Sequence, residues 1–221
     1  MAGRPISLIE DWRKHWGSEF TFLVVGLANN GNRLPKPEDS GWAEVRGAQI
    51  AVTARLPKTG LARAIEIGTG NNIHPIDKLD VGLRLAASAL HVAYGQDVPY
   101  DGPRFASMAV EGGKIRVKYT NADSGLAIRP SPYISDDPVC NNPALSTTEV
   151  LGFKIAGADK KWVNAKARID GKTVLVSSDT VPQPIAVRFA WAWNPPVHLY
   201  SKVGFPAVPF RTQDWPLTPT L

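Results

Sequence analysis

The sequence is poor in the residues from which disulfides and metal sites are built. Cys140 is the only cysteine in 221 residues, so an intrachain disulfide and a cysteine metal cluster are both excluded. The four histidines, His15, His74, His91 and His198, are far apart and form no pair one helical turn apart. We therefore expect no metal site and no cofactor.

Long apolar runs and clustered basic charge are also missing. No stretch approaches the roughly 20 apolar residues of a membrane span, and the first residues lack the apolar core of a signal peptide. The chain carries a net charge of +5, but its basic residues are dispersed, whereas phosphate binding needs a clustered basic face. We expect neither a nucleic-acid nor a membrane partner, and the compartment stays open.

The apolar residues that are present divide the chain into two halves. In residues 1–100, two short apolar runs at 20–27 and 61–67 are typical of strands buried on both faces of a parallel sheet. Helical patterns precede, separate and follow these runs, the last carrying an apolar stripe over 79–94. Gly17 is suited to end the first helix, and Asp39 or Ser40 to cap the second. This order predicts a right-handed parallel α/β unit.

Residues 101–221 follow a different period. After a segment rich in proline, glycine and aspartate at 96–104, strand-like alternation appears. The predicted strands are 115–119, 150–156, 162–169, 173–177 and 185–193. Hairpin turn residues separate them, and four prolines at 130–146 predict a loop. We predict two domains, an α/β domain over 1–100 and an antiparallel β-sandwich over 101–221.

The first half contains too little sheet to stand alone. Two strands and three helices cannot cover both faces of a sheet and protect its edges. We therefore expect this half to self-associate or to need a companion segment that precedes it.

Several short motifs follow one another along most of the chain. They are IEDWR at 9–13, FLVV at 22–25, WAEVRGAQ at 42–49, IHP at 73–75, GF at 152–153, IAG at 155–157, VRFAW at 187–191 and PFRT at 209–212. Together they resemble the sialate O-acetylesterase family, carbohydrate esterases of the SGNH-hydrolase class. The resemblance implies an α/β fold: the carboxyl-terminal part of a flavodoxin-like parallel-sheet domain, followed by the β-sandwich.

The resemblance also implies a site. Members of this family remove acetyl groups from sugar hydroxyls with a serine, a histidine and an aspartate, and His74 matches the histidine. It follows a strand end, where α/β folds place their ligands, and an imidazole can take the serine proton and return it to the leaving alcohol. A histidine just before a helix can also serve as a structural cap, and this alternative stays open.

Two departures from the family pattern limit this expectation. Asn72 stands where the relatives have an aspartate, and an amide cannot stabilise the charge of an imidazolium. The family's nucleophile segment precedes the matched region, and this chain has no Gly-Asp-Ser block and no G-x-S-x-G elbow. The sequence Asp123-Ser124-Gly125 is typical of a hairpin turn. We therefore expect a catalytic histidine without a nucleophile in this chain.

Two further interpretations complete the expectations. Arg46 and Gln49 share a helical face near the active-site side, where they either touch an acetylated carbohydrate substrate or pack the helix. As an alternative function, the chain is a non-catalytic carbohydrate-binding or structural module derived from such an esterase. In that case aromatic side chains of the second half stack on sugar rings or form core. The candidates are Trp162, Trp191, Trp193 and Tyr200.

Overall fold

The computed structural model describes residues 3–31, 39–70, 72–129 and 148–216. The loop predicted at 130–146 lies outside these residues, as does Cys140. The described part is a mixed α/β structure with one parallel strand pair and several antiparallel pairs.

Three helices and two parallel strands form the first part. In chain order they are α1 Gly3–Trp16, β1 Phe22–Val25, α2 Gly41–Arg55, β2 Thr59–Ala62 and α3 Lys78–Val92. β1 and β2 pair in parallel, with Phe22 opposite Thr59. The second strand was predicted at 61–67, two residues too late, because its apolar run continues into a buried turn in which Ile67 N donates to Ala64 O.

Capping residues set the helix ends. Gly17 follows α1 with a φ of +62°, in the left-handed region that glycine tolerates. Ser40 rather than Asp39 caps α2, because its side chain accepts a hydrogen bond from Ala43 N, whereas Asp39 pairs with Arg188 at 3.2 Å. Asp77 caps α3.

The apolar stripe predicted on α3 faces outward. Leu79, Leu83, Leu90 and Tyr94 are all exposed, while the buried positions of this helix include Arg84 and Ser88. A helix that exposes its apolar stripe has a surface suited to a further partner.

Ten strands are described in the second part. They are β3 Arg104–Glu111, β4 Lys114–Thr120, β5 Leu126–Ile128, β6 Phe153–Ala156, β7 Trp162–Asn164, β8 Lys166–Asp170, β9 Thr173–Ser177, β10 Ala186–Phe189, β11 Leu199–Ser201 and β12 Phe210–Arg211. All their pairings are antiparallel. The orders are β3-β4-β9-β8 in one sheet, β12-β10-β6-β7 in the second, and β11-β5 in a two-stranded sheet.

The two four-stranded sheets share one hydrophobic core. Val117 of β4 and Val176 of β9 belong to the same buried cluster as Phe153 of β6 and Phe189 of β10. The predicted strand at 162–169 is in fact two strands, β7 and β8, which lie in different sheets. A continuous apolar alternation concealed this break, because both strands bury one face in the shared core.

A buried ion cluster joins the two parts at residue 101. Asp101 forms ion pairs with Arg63, which follows β2, and with Arg104, which begins β3. Arg63 also donates to Pro206 O at 2.7 Å. The predicted domain boundary at 100/101 stays a prediction. At this point the ion pairs of the buried Asp101 connect the first part of the chain to the second.

This cluster gives a pH-dependent contribution to stability. Burial alone would raise the pKa of Asp101, but the charges and hydrogen bonds of Arg63 and Arg104 lower it below its ordinary value. A lowered folded-state pKa stabilises the protein above the unfolded-state pKa of about 3.9. That contribution is lost as the pH falls through the folded-state value.

Asp101→Asn is therefore expected to lower the free energy of unfolding at pH 7 by on the order of 3 kcal/mol. The difference from the wild type should narrow below about pH 4, because the Asp101 carboxylate becomes protonated there in the unfolded chain first and in the folded chain only at lower pH. Urea unfolding between pH 3 and about 7 measures both effects. Asp123→Asn is the control, since this carboxylate is fully exposed. A difference that stays constant with pH would contradict the charged role of Asp101.

Candidate active site at the carboxyl ends of the parallel strands

His74 lies in the connection between β2 and α3. The connection after β1 runs beside it, because Gly31 N donates to Gly70 O at 2.7 Å. The carboxyl ends of both parallel strands therefore meet at one edge, which is where α/β proteins bind ligands. The side chain of His74 is exposed at this edge.

Asn72 shapes the backbone next to His74. Its side-chain oxygen accepts a hydrogen bond from His74 N at 2.9 Å, and its own backbone N donates to Thr69 O at 3.2 Å. The hydrogen bond from His74 N to the Asn72 side chain forms an Asx turn, which asparagine commonly adopts. Among the described residues, the His74 ring has no hydrogen-bond partner.

Arg46, predicted either to touch substrate or to pack the helix, is buried and links distant backbone segments. Its guanidinium donates to four carbonyl oxygens, Leu27 O at 3.1 Å, Ala28 O at 3.2 Å, Ala192 O at 2.8 Å and Trp193 O at 2.6 Å. Burial lowers the pKa of Arg46 to about 9. The side chain joins the end of β1 to a segment more than 140 residues later, which is the packing role that the sequence left open; a substrate contact of Arg46 stays a prediction.

The side chain of Gln49 also forms hydrogen bonds to backbone groups. Its side-chain oxygen accepts from Leu27 N at 3.0 Å, and its amide nitrogen lies 3.4 Å from Val25 O. These contacts continue the hydrogen-bond pattern of β1 past its last paired residue. Of the four predicted site residues, His74 and Asn72 lie together in the exposed loop, and Arg46 and Gln49 support the neighbouring one.

The segment 191–194 also lies at this edge, which the sequence did not predict. It begins one residue after the end of β10. The residue between them, Ala190, ends the strand with a φ of +52°. Asn30 N donates to Trp193 O at 3.3 Å, and the Asn194 side chain donates to Gly31 O at 2.9 Å. The only signal in the sequence was an aromatic pair next to asparagine and two prolines, which has no fixed meaning.

A stacked pair of indoles stands next to these contacts. The rings of Trp42 and Trp193 lie 5.3 Å apart at an interplanar angle of 17°, and Trp42 Nε1 donates to Ala28 O at 2.8 Å. Trp42 is partly buried, whereas 37% of Trp193 is exposed.

Two absences apply to the described residues. No group of three or more histidine, cysteine, aspartate or glutamate side chains there could hold a metal ion. No helix in the same ranges is long and apolar enough to cross a bilayer. Ser124 lies in the turn between β4 and β5, where Gly125 N donates to Ala122 O at 2.9 Å. This turn is not the predicted hairpin, because β4 and β5 pair with strands of different sheets.

A solved structure resembles almost the whole chain. A carbohydrate acetylesterase from Xanthomonas citri superimposes on 97% of this chain with a TM-score of 0.83 and 38% sequence identity. The match covers 46% of that protein's chain. By fold and by sequence, this chain is therefore related to part of a carbohydrate acetylesterase.

Two sialate O-acetylesterases are also similar to part of this chain. Sialate O-acetylesterase of Mus musculus is 35% identical over 114 residues, which are 43% of this chain and 21% of the mouse protein. The Homo sapiens enzyme is 32% identical over 115 residues, 44% of this chain and 22% of its own. The resemblance to the sialate O-acetylesterase family is confirmed. This chain spans only about a fifth of those relatives, and no family model matches it.

Proposed function

We propose that this chain is the histidine-bearing part of an enzyme that hydrolyses O-acetyl esters of carbohydrates. The strongest support is the close superposition of almost the whole chain on a carbohydrate acetylesterase. The exposed position of His74 at the carboxyl ends of β1 and β2 is consistent with this role.

In the proposed mechanism His74 is the general base. A serine hydroxyl from a segment outside these 221 residues attacks the acetyl carbonyl, while the His74 imidazole accepts the serine proton. As the tetrahedral intermediate collapses, His74 returns that proton to the sugar oxygen, and the sugar leaves. Water then attacks the acetyl-enzyme with His74 again as base, releasing acetate and restoring the serine.

Asn72 makes this site weaker than one with an aspartate. Its amide oxygen is already engaged by His74 N, and an amide carries no charge to balance the imidazolium. In a serine protease, the equivalent change lowers kcat by roughly 10⁴-fold. We therefore propose that turnover is slow when Asn72 is present.

We further propose the finer architecture that the family implies. The β1–β2 pair with its helices is part of a flavodoxin-like sheet of the SGNH-hydrolase type, and the two sheets around the shared core are a β-sandwich. The shared buried cluster supports the sandwich. The parallel register of β1 and β2 supports the flavodoxin-like sheet.

The first part of the chain has surfaces that a partner could cover. Among the described strands β1 pairs only with β2, so its other edge is open to a further strand. Trp12 and Trp16 on α1, like Leu79 and Leu83 on α3, expose apolar surface. We propose that a companion segment covers these surfaces, and that the chain self-associates through them when the companion is absent.

Light scattering over a concentration series tests this proposal. The wild-type chain alone should form oligomers as its concentration rises, and Leu83→Glu should raise the dissociation constant by about tenfold or more, because it places a charge in the buried contact. Val110→Glu on β3 is the matched control, since Val110 is similarly exposed but lies in the other half. A wild-type chain that folds cooperatively and stays monomeric throughout would contradict the proposal.

A non-catalytic carbohydrate-binding module is the second candidate. One observation favours it: Asn72 replaces the charged partner of the catalytic histidine and bonds the backbone instead. When a serine-bearing segment is supplied to this chain, acetate release from an O-acetylated sugar separates the two functions, and the same sugar lacking the ester is the control. The enzyme releases acetate from the ester alone, whereas the module binds the sugar and releases none.

A further inference from the structure

We propose that Trp193, stacked on Trp42, is an aromatic platform that receives a sugar ring of the substrate beside the His74 loop. This inference rests on the proposed function, because it names a carbohydrate contact of the same site. Neither tryptophan was among the site residues predicted from the family resemblance.

The platform is held rigidly. The two indoles are nearly parallel at a centroid distance of 5.3 Å, and Trp42 is fixed by its hydrogen bond to Ala28 O. The buried Arg46 donates to Trp193 O at 2.6 Å. A preformed flat surface loses little conformational entropy when a ligand binds to it.

Direct hydrogen bonds link the platform to the catalytic loop. Asn30 N donates to Trp193 O at 3.3 Å, and the next residue, Gly31, donates its N–H to Gly70 O at 2.7 Å. His74 is four residues beyond Gly70 in the same connection and is exposed, whereas Gly70 is buried. The platform and the proposed base therefore share the edge at which β1 and β2 end.

The chemistry of the surroundings fits a sugar. The C–H face of a pyranose ring is apolar and packs on an aromatic ring, while its hydroxyl groups need polar partners. Such partners are available at this edge, because Asn72 is exposed and Asn30 and Thr69 are only partly buried. None of these three side chains carries a charge, which suits a ligand rich in hydroxyl groups.

The other exposed tryptophans lie elsewhere. Trp12 and Trp16 contact each other and the phenylalanines at the amino end of β1, with Trp16 5.1 Å from Phe20 and Trp12 6.3 Å from Phe22. The amino end of β1 is opposite to the edge that carries His74. Trp16, which is 68% exposed, is therefore a control for a nonspecific effect of tryptophan removal.

Ligand-observed NMR with the full chain tests the platform without requiring turnover. The probe is the methyl glycoside of an O-acetylated neutral pyranose, titrated to obtain a dissociation constant. We expect Trp193→Ala to raise that constant by about tenfold, Trp193→Phe by about threefold or less, and Trp16→Ala to leave it unchanged. Trp193→Leu keeps apolar contact with Trp42 but loses the flat ring, so it should weaken binding as alanine does.

The outcomes separate the platform from the proposed function. If the wild type and a folded Trp193→Ala or Trp193→Leu variant bind the glycoside equally, the platform is overturned and the proposed function stands. If the wild-type chain does not bind the glycoside, the platform is likewise overturned, while the proposed function is decided separately by acetate release once a serine-bearing segment is supplied. Thermal unfolding of each variant establishes which of them are folded.

Discussion

Replacing His74 with alanine is expected to abolish nearly all acetyl-ester hydrolysis by any active preparation that contains this chain. General acid–base catalysis contributes about 10²- to 10⁴-fold, so kcat/KM should fall by that amount while the fold is unchanged. The stability should not change, because the His74 ring makes no hydrogen bond to the described residues. Acetate release from an O-acetylated sugar measures the rate, and thermal unfolding measures the stability.

His15→Ala is the control for this substitution. His15 is also exposed but lies in α1, at the other end of β1. Its removal should leave the rate unchanged. Equal rates for His74→Ala and the wild type would remove His74 from the mechanism and with it the family-derived site.

Arg46→Ala should lower the stability strongly. It leaves four carbonyl oxygens without their donor, and a buried polar group without a partner costs about 1 to 3 kcal/mol. Since the carbonyls can relax toward water, we expect a total loss of on the order of 3 kcal/mol. Arg46→Lys should recover only part of this loss, because an ammonium group cannot span the four acceptors as a guanidinium does.

Urea unfolding measures this effect, with Arg55→Ala as the matched control. Arg55 ends the same helix but is exposed, so its substitution should change the free energy of unfolding by no more than about 0.5 kcal/mol. An Arg46→Ala variant as stable as the wild type would show that these hydrogen bonds do not hold the two parts together.

Local signals allowed parts of the fold to be predicted from the sequence. The end of α1 at Gly17 and the cap of α2 depend on residues within one turn of the helix, so their chemistry identifies them. The apolar run at 20–27 contains β1, as the pattern predicted, although none of the four residues of this strand is buried and Val25 is exposed. The position of His74 after β2 follows from the same order of elements.

Contacts between residues far apart in the sequence could not be predicted from these local signals. Arg46 and Gln49 have the spacing of an exposed helical face, yet the side chain of each forms hydrogen bonds to backbone groups of other segments. The acceptors of Arg46 at 192 and 193 are reached only because the β part folds back onto α2. Trp193 was predicted to be either core or a sugar contact, and no local pattern could reveal that Trp42 stacks on it.

The apolar stripe of α3 was visible in the sequence, but its direction was not. Helical periodicity identifies a face without identifying its partner. In this chain the stripe with Leu79 and Leu83 points away from β1 and β2. Such an outward stripe is what the proposed companion segment would cover.

The most direct test is a chimera in which this chain replaces the portion of the carbohydrate acetylesterase on which it superimposes. In the proposed mechanism, the rest of that enzyme supplies the serine. We predict slow acetate release from an O-acetylated sugar, and a faster rate for Asn72→Asp, because a carboxylate keeps the acceptor for His74 N and balances the imidazolium charge. A folded chimera that releases no acetate, with or without Asn72→Asp, would contradict the proposal that His74 is the base of an esterase.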